Sequence, residues 1–367
     1  MNLEPSKQTK TVLCAMSGGV DSSVAAFLLK QKGYQVIGVS LQVWDYNKSC
    51  SALTKTCCSP KDFQDARLVA KKLEIPFYVL DLEKEFETAV IQKFVSSYME
   101  GLTPSPCIDC NQFVKFGALW ERKQSLGIDK LATGHHVRII EWNGRLFLRR
   151  AKDIAKDQSY FLYNLTHDQL AGIEFPIGDF LKDEVRKIAE EQGFVNYRKK
   201  DSQDLCFLSG NLGDFLASRT SADLSGVLVN IESNKSVKVD NIFHYTKGQR
   251  RGLPFAGSKE PLYVVKIDSQ NRKVYVGKKS AALARSFKAK DWIWNYRNLT
   301  EEIEGFVQIR STHRGSKARV TPITETCVKV DFLEESLIVV PGQAAVLYDE
   351  NNEVVLGGGI ITNDSGQ

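Results

Sequence analysis

A chain of 367 residues exceeds what one hydrophobic core ordinarily organises, so two or three domains are expected. Hydrophobic residues at 43% and charged residues at 25% exclude wholesale disorder and collagen-like repetition. The formal net charge is only +5, yet residues 201–319 hold 20 Lys/Arg against 12 Asp/Glu, so the basic surplus is gathered in the second half. An acidic polymer facing that half and a merely solvated basic surface both account for it.

In chain order, the apolar run 11–16 predicts a strand, followed by the glycine-rich SGGVDSS and a helix that stops at Gly33. A buried strand is expected over 34–44. A helix over 61–73 puts Phe63, Ala66, Val69, Ala70 and Leu73 on one face. A strand over 75–82, a helix over 84–102, a helix over 116–127 and a strand over 130–136 complete the alternation. Strand alternating with helix argues for a doubly wound α/β fold with a mostly parallel sheet. After about residue 210 short β-rich runs take over, and from 286 onward turns separate them with no convincing helix. That pattern suits a small antiparallel barrel or sandwich. The expected domains are therefore 1–210, 211–285 and 286–367.

No run reaches the ~18 apolar residues of a membrane span, and MNLEPSKQTK lacks the apolar stretch of a secretory signal. A cytoplasmic protein without membrane contact is expected. In a reducing compartment the eight cysteines read as metal ligands or sulfur chemistry, not as a disulfide framework.

Two constellations carry chemistry. Ser17-Gly18-Gly19-Val20-Asp21-Ser22-Ser23 lies between a strand and a helix, where small residues let backbone N–H groups approach a phosphate and the helix start favours anions. The segment is neither a Walker A sequence nor GxGxxG; it resembles the PP-loop of ATP pyrophosphatases, which release pyrophosphate on adenylating a carbonyl oxygen. Thr133-Gly134-His135-His136 ends a later strand of the same sheet, at the edge where ligands collect. The second constellation is Cys107-Ile108-Asp109-Cys110, read as a loop stiffened by Pro104 and Pro106, with Cys206 in a second polar segment, Asp201 to Phe207. A zinc site needs more ligands than this pattern offers, Cys57-Cys58 included. ATP activation beside two separated reactive cysteines points to sulfur transfer: adenylation makes the oxygen a leaving group, and a thiolate carries the sulfur that replaces it.

At this point the chain resembles the tRNA-specific 2-thiouridylase family over essentially its whole length. The motifs are MSGGVDSSVAA, CCSPKDFQDAR, GLTPSPCIDCNQFVKFG, ATGHH, KDQSYFL, DSQDLCF, YTKGQRRGL, PGQAAVLYD and LGGGII. The resemblance implies a PP-loop domain, a small central α/β domain and a C-terminal β-barrel, and an enzyme that 2-thiolates the wobble uridine with ATP and Mg²⁺. It implies Cys110 as nucleophile and Cys206 as the persulfide carrier, with a transient bond between them. ATP would lie along Ala15, Met16, Ser17, Gly18, Gly19, Val20, Asp21 and Ser22, with Leu41 and Gly134; Leu41 stands where the family often has methionine. Ser105, Pro106, Cys107, Lys156, Asp157 and Gln158 would touch the target base and its tRNA. His135, Arg310, Ser311 and Gln343 are the further tRNA contacts. The implied partners are a tRNA with a modifiable wobble uridine and a sulfur donor such as a cysteine desulfurase relay protein.

Position 107 departs from members that carry aspartate there. Cys107, Cys110 and Cys206 together would suit a [4Fe–4S] cluster with one open iron. Relay and cluster both stay open, the CxxC spacing favouring the cluster. The rival readings are another PP-loop reaction, such as argininosuccinate formation or amide synthesis, and a non-catalytic RNA-binding protein.

Overall fold

The structure is a computed structural model, which describes residues 9–44, 60–201, 205–208, 210–255, 260–295 and 301–363. Cys50, Cys57 and Cys58, and Ser202 to Asp204 of the DSQDLCF motif, lie outside the described residues. The chain forms two compact units, one of residues 1–90 and 107–207, the other of residues 91–106 and 208–367.

The first unit is built on a five-stranded parallel sheet. Its strands are β1 (Thr11–Ala15), β2 (Gln35–Gln42), β3 (Phe77–Asp81), β4 (Lys130–Thr133) and β7 (Ile173–Glu174), in the order β3-β2-β1-β4-β7. Between β4 and β7 an antiparallel hairpin forms from β5 (Val137–Trp142) and β6 (Arg145–Arg150). Helices α1 (Val20–Gln31) and α2 (Pro60–Lys72) link the first three strands, and α3 (Lys182–Glu191) follows β7. Val24, Ala25, Ala26 and Leu29 of α1 share a core with Val185 and Ala189 of α3 and with Val12 and Cys14 of β1. Leu29 is wholly buried, so its truncation to alanine costs about 2–5 kcal/mol. The chain runs outward from β1 to β3, then returns to place β4 on the other side of β1. That reversal opens a crevice at the carboxyl ends of β1 and β4, the natural place for a ligand in such a sheet.

The second unit contains a four-stranded sheet of β8 (Gly226–Asn230), β9 (Ser236–Val239), β10 (Tyr263–Asp268) and β11 (Lys273–Gly277), ordered β10-β11-β8-β9. A closed barrel follows, made of β12 (Ser286–Trp294), β13 (Ile303–Gln308), β14 (Ser316–Thr324), β15 (Cys327–Phe332), β16 (Ala344–Tyr348) and β17 (Val355–Ile361). Closure leaves no free sheet edge, and in β15 buried Val328, Val330 and Phe332 alternate with more exposed residues. The helix Gln92–Met99 belongs to this unit: Phe94 and Tyr98 sit edge-on to Phe215 and Phe243.

Several elements differ from expectation. The CxxC segment is helical, not a loop: Pro106–Asp109 forms a helical turn that runs into a π-helical stretch, Cys110–Ala118. Pro106 suits a first helical position because its fixed φ fits and its missing N–H is not needed there. The hairpin β5–β6 and strand β14 were not foreseen, since Arg, Lys and Pro interrupt their apolar alternation. Leu337, within the run LIVVPG, makes only an isolated bridge to Ala284. Among the described residues no helix is long and apolar enough to cross a membrane.

Candidate active site

The glycine loop leaves β1 and enters α1 at the crevice. Gly18 has φ +72°, and a Cβ there would lie 2.2 Å from the Asp62 carbonyl oxygen, so only glycine fits. Gly134 leaves β4 so close to α1 that a Cβ would lie 2.5 Å from the Ser22 nitrogen. Gly19 opens α1 without any side-chain cap, so no capping side chain takes the first-turn N–H groups, an arrangement that favours an anion. Polar bonds hold the loop: Ser22 Oγ accepts from the Ser17 N–H at 3.1 Å, and Asn196 Nδ2 donates to the Gly18 carbonyl and to Ser23 Oγ, each at 2.9 Å. Lys199 Nζ donates to the Gly18 carbonyl at 3.0 Å and binds Asp62 and Asp65. Ala15, Met16 and Ser17 close β1, with Met16 buried and Ser17 exposed, and Leu41 sits near the end of β2, buried. The ten residues expected around ATP thus lie on one edge of the sheet.

Asp21, in the first turn of α1, is the centre of an ion-pair network. Lys182 Nζ donates to both of its carboxylate oxygens at 2.7 Å, and His136 Nε2 lies 3.3 Å from one of them. Burial alone would raise the Asp21 carboxyl; the His136 hydrogen bond and the Lys182 ammonium outweigh it and hold it below the usual value. With Nε2–H donating, His136 Nδ1 is left as a buried acceptor without a hydrogen-bond partner among the described residues. Lys182 also reaches Asp201 at 2.8 Å, and Asp201 further binds Lys156 at 2.7 Å and Arg186 at 3.1 Å. Burial would raise Asp201 too, but hydrogen bonds from Lys156 and Lys182 bring it down to about 2. Sequence reasoning missed Lys182, which lies in no glycine, cysteine or histidine motif. Its one signal is position: a lysine opening a helix is placed against the usual preference for acidic first turns.

Cys110 is half-buried at the start of the π-helical stretch, and Cys107 is exposed one turn earlier. Such stretches are uncommon and recur at functional sites. Asn111, next to Cys110, is buried; its Nδ2 donates to the Phe161 carbonyl at 3.2 Å. Cys206 is half-buried in a turn, and its neighbour Phe207 packs its ring against Phe86 and Trp44 at 5.9 and 6.4 Å. Among the described residues no three His, Cys, Asp or Glu side chains stand close enough to hold a metal ion.

The residues expected to touch tRNA fall into three groups. Lys156 is partly exposed on Asp201, and Gln158 secures the strand end, accepting from the His136 N–H at 2.9 Å. Asp157 and His135 face inward. The Asp157 carboxylate takes Arg150 at 2.7 Å and the Ser159 hydroxyl at 2.7 Å, organising the loop rather than presenting itself. His135 lies between Phe116 and Phe175, its Nδ1 2.7 Å from Thr133 Oγ1; burial, then the charges of Lys115 and His136, push its pKa well below the usual value. In the second unit Arg310 and Ser311 are exposed after β13. Gln343 donates to the Thr103 carbonyl at 2.8 Å, fastening the turn that precedes buried Pro104, half-buried Ser105 and buried Pro106.

A family model described as the tRNA methyl transferase HUP domain matches residues 10–210. Its PRC-barrel companion matches 213–278, and an aminomethyltransferase β-barrel model matches 284–361. The tRNA-specific 2-thiouridylase MnmA of Rickettsia typhi is 45% identical over 358 residues, 96% of this chain and 99% of that protein. The chain belongs to the tRNA-specific 2-thiouridylase family. A second member, MnmA of Leptospira biflexa, is 41% identical over 98% of this chain and 95% of its own length. The model descriptions speak of methyl transfer, but these relatives span the whole chain and decide the family. The structure of NMN synthetase from Francisella tularensis aligns at TM-score 0.32 with 17% identity, over 53% of this chain and 67% of that one, too distant to add to the assignment.

Proposed function

We propose that this protein is an ATP-dependent tRNA sulfurtransferase that converts the wobble uridine to 2-thiouridine, releasing AMP and pyrophosphate. One observation carries the reading: a glycine loop suited to a phosphate shares an ion network, through Lys182, with Asp201, which stands five residues before Cys206 in a chain of the thiouridylase family.

ATP enters as its magnesium complex. The first-turn N–H groups of α1 and Ser17 would take the phosphates, and Asp21, whose carboxylate Lys182 and His136 already hold, is the loop's acidic side chain that would meet the ion. A stacked base hides its O2, so the uridine is splayed out of the anticodon. Uracil O2 attacks the α-phosphorus, the bridge to the β-phosphate breaks, and N3 loses its proton. Cys206 takes a sulfane sulfur from a donor persulfide, the donor thiol leaving. The terminal sulfur attacks C2 and AMP departs with the C–O electron pair. The Cys110 thiolate then attacks Cys206 Sγ, and the S–S bond breaks toward the thiocarbonyl sulfur. A Cys110–Cys206 disulfide remains, for an external dithiol to reduce. Lys156 and Gln158 border the entering anticodon, and Arg310 and Ser311 grip the RNA elsewhere. A desulfurase relay protein in the cytoplasm is the proposed sulfur source.

The test is incubation with unmodified tRNA, ATP and a persulfide source, followed by nucleoside mass spectrometry and pyrophosphate release. ATP-dependent 2-thiouridine is the expected product. Tight tRNA binding without pyrophosphate release would favour the RNA-binding reading. Activity that survives both Cys110→Ala and Cys206→Ala would favour another PP-loop reaction.

A further inference from the structure

Lys182 joins two parts of the first unit that the reaction uses at different moments. It opens α3, and its backbone N–H donates to Asp153 Oδ2 at 2.9 Å, which fixes its origin. Only 8% of its side chain is exposed. Its ammonium has three donors and meets three carboxylate oxygens: both of Asp21 at 2.7 Å and one of Asp201 at 2.8 Å. Asp21 belongs to the nucleotide loop. Asp201 begins the segment that leads to Cys206, and Lys156 and Arg186 hold it as well. A compact ammonium can meet two carboxylates on different elements, whereas the planar fork of arginine suits one carboxylate face-on.

We propose that Lys182 is a positioning residue for sulfur transfer: it ties the entry to the Cys206 segment onto the first turn of α1, so that the sulfur carrier is registered to the base activated there. The inference rests on the thiolation reading and adds to it a residue whose effect falls on the second chemical step. Removing the bridge leaves the anion site of α1 in place, because Gly18, Gly134 and the first-turn N–H groups build that site without Lys182. What is lost is the placement of Cys206.

The experiment uses the full-length protein with magnesium ATP and unmodified tRNA. Pyrophosphate release reports adenylation and 2-thiouridine reports the whole reaction, with sulfur supplied either as protein-bound persulfide or as free sulfide, which needs no Cys206. Asp201→Asn is expected to keep pyrophosphate release near the wild-type rate and to lower persulfide-driven thiolation by at least about tenfold, within the ~10²-fold loss that misplacing a reacting group causes. Free sulfide should restore most of that loss. Lys182→Met should lower persulfide-driven thiolation at least as much, and the double variant no further, because the bridge is already gone. Lys182→Arg should fall between. Persulfide-driven thiolation by Asp201→Asn at the wild-type rate would overturn the proposal, as would parallel loss of both steps without rescue by sulfide. If Lys182→Met fails to fold, Asp201→Asn and Lys182→Arg decide alone. Wild-type protein that makes no 2-thiouridine from either sulfur source would instead overturn the thiolation reading itself.

Discussion

Charges near the glycine loop of the first unit are buried or half-buried and matched one against another, whereas the barrel carries its charges on the surface. Arg150 and Asp157 meet at 2.7 Å with side chains 5% and 3% exposed; Arg319 and Glu304 meet at 2.8 Å with side chains 44% and 56% exposed. Pairs of the second kind contribute roughly 0–1 kcal/mol and are screened by salt, while breaking a pair of the first kind strands a buried charge and costs about 3–5 kcal/mol. On the proposed reading, the sheet edge needs fixed atoms for chemistry and the barrel surface needs charge that can be shared out over RNA. Substitutions should therefore act abruptly in one region and by increments in the other.

The largest effect is expected at the two jammed glycines. Gly134→Ala and Gly18→Ala force a Cβ to within 2.5 Å of the Ser22 nitrogen and 2.2 Å of the Asp62 carbonyl oxygen, so the anion site must deform. Pyrophosphate release should fall at least ~10²-fold with tRNA affinity little changed. A variant that turns over ATP at the wild-type rate would break the contrast at its strong end.

The second unit should respond in smaller steps. Arg250, Arg251 and Arg310 are exposed and no ion pair to them occurs among the described side chains, while Arg319 is held by Glu304 and Glu302. Arg310→Ala or Arg250→Ala should weaken tRNA binding a few-fold and lower the salt slope by about one, as loss of a phosphate contact requires. Arg319→Ala should do less. A flat salt response of tRNA affinity would contradict the assignment.

Two pH effects come next, both in the first unit. His135 is buried with its pKa well below 6.5, so unfolding frees a group that takes up a proton more readily. Its contribution is full above pH 6.5 and is lost as pH falls toward the folded-state value, and His135→Gln should flatten that decline in urea titrations. Asp201, lowered from 3.8 to about 2, contributes above its unfolded value and loses that contribution between the two. The stability gap between wild type and Asp201→Asn should shrink over the same acid window.

The same contrast governs how much was legible in the sequence. Glycine spacing between a strand and a helix identifies the anion loop because the constraint is local: a positive φ and a close approach belong to single residues. Alternating elements likewise disclose the parallel sheet, and the short β-rich runs of the last third disclose the barrel. Lys182 could not be found this way, because it meets Asp21 across 161 positions and Asp201 across 19, and neither pairing leaves a local pattern. The CxxC segment misled for the opposite reason. Two prolines and a polar run look like a loop, yet Pro106 begins a helix because proline fits a first turn as well as a bend. Asp157 and His135 sit in motifs, but whether such residues face substrate or core is decided by Arg150, Phe116 and Phe175, which lie elsewhere in the chain.

The most direct test of the sulfur chemistry is a single turnover of persulfide-loaded protein with ATP and unmodified tRNA, quenched in acid with thiol alkylation and read by peptide and nucleoside mass spectrometry. The relay requires 2-thiouridine, AMP and a Cys110–Cys206 disulfide in equal amounts, with Cys107→Ala retaining most of the activity. Thiolation without that disulfide, dependent on all three cysteines and accompanied by bound iron after anaerobic purification, would contradict it.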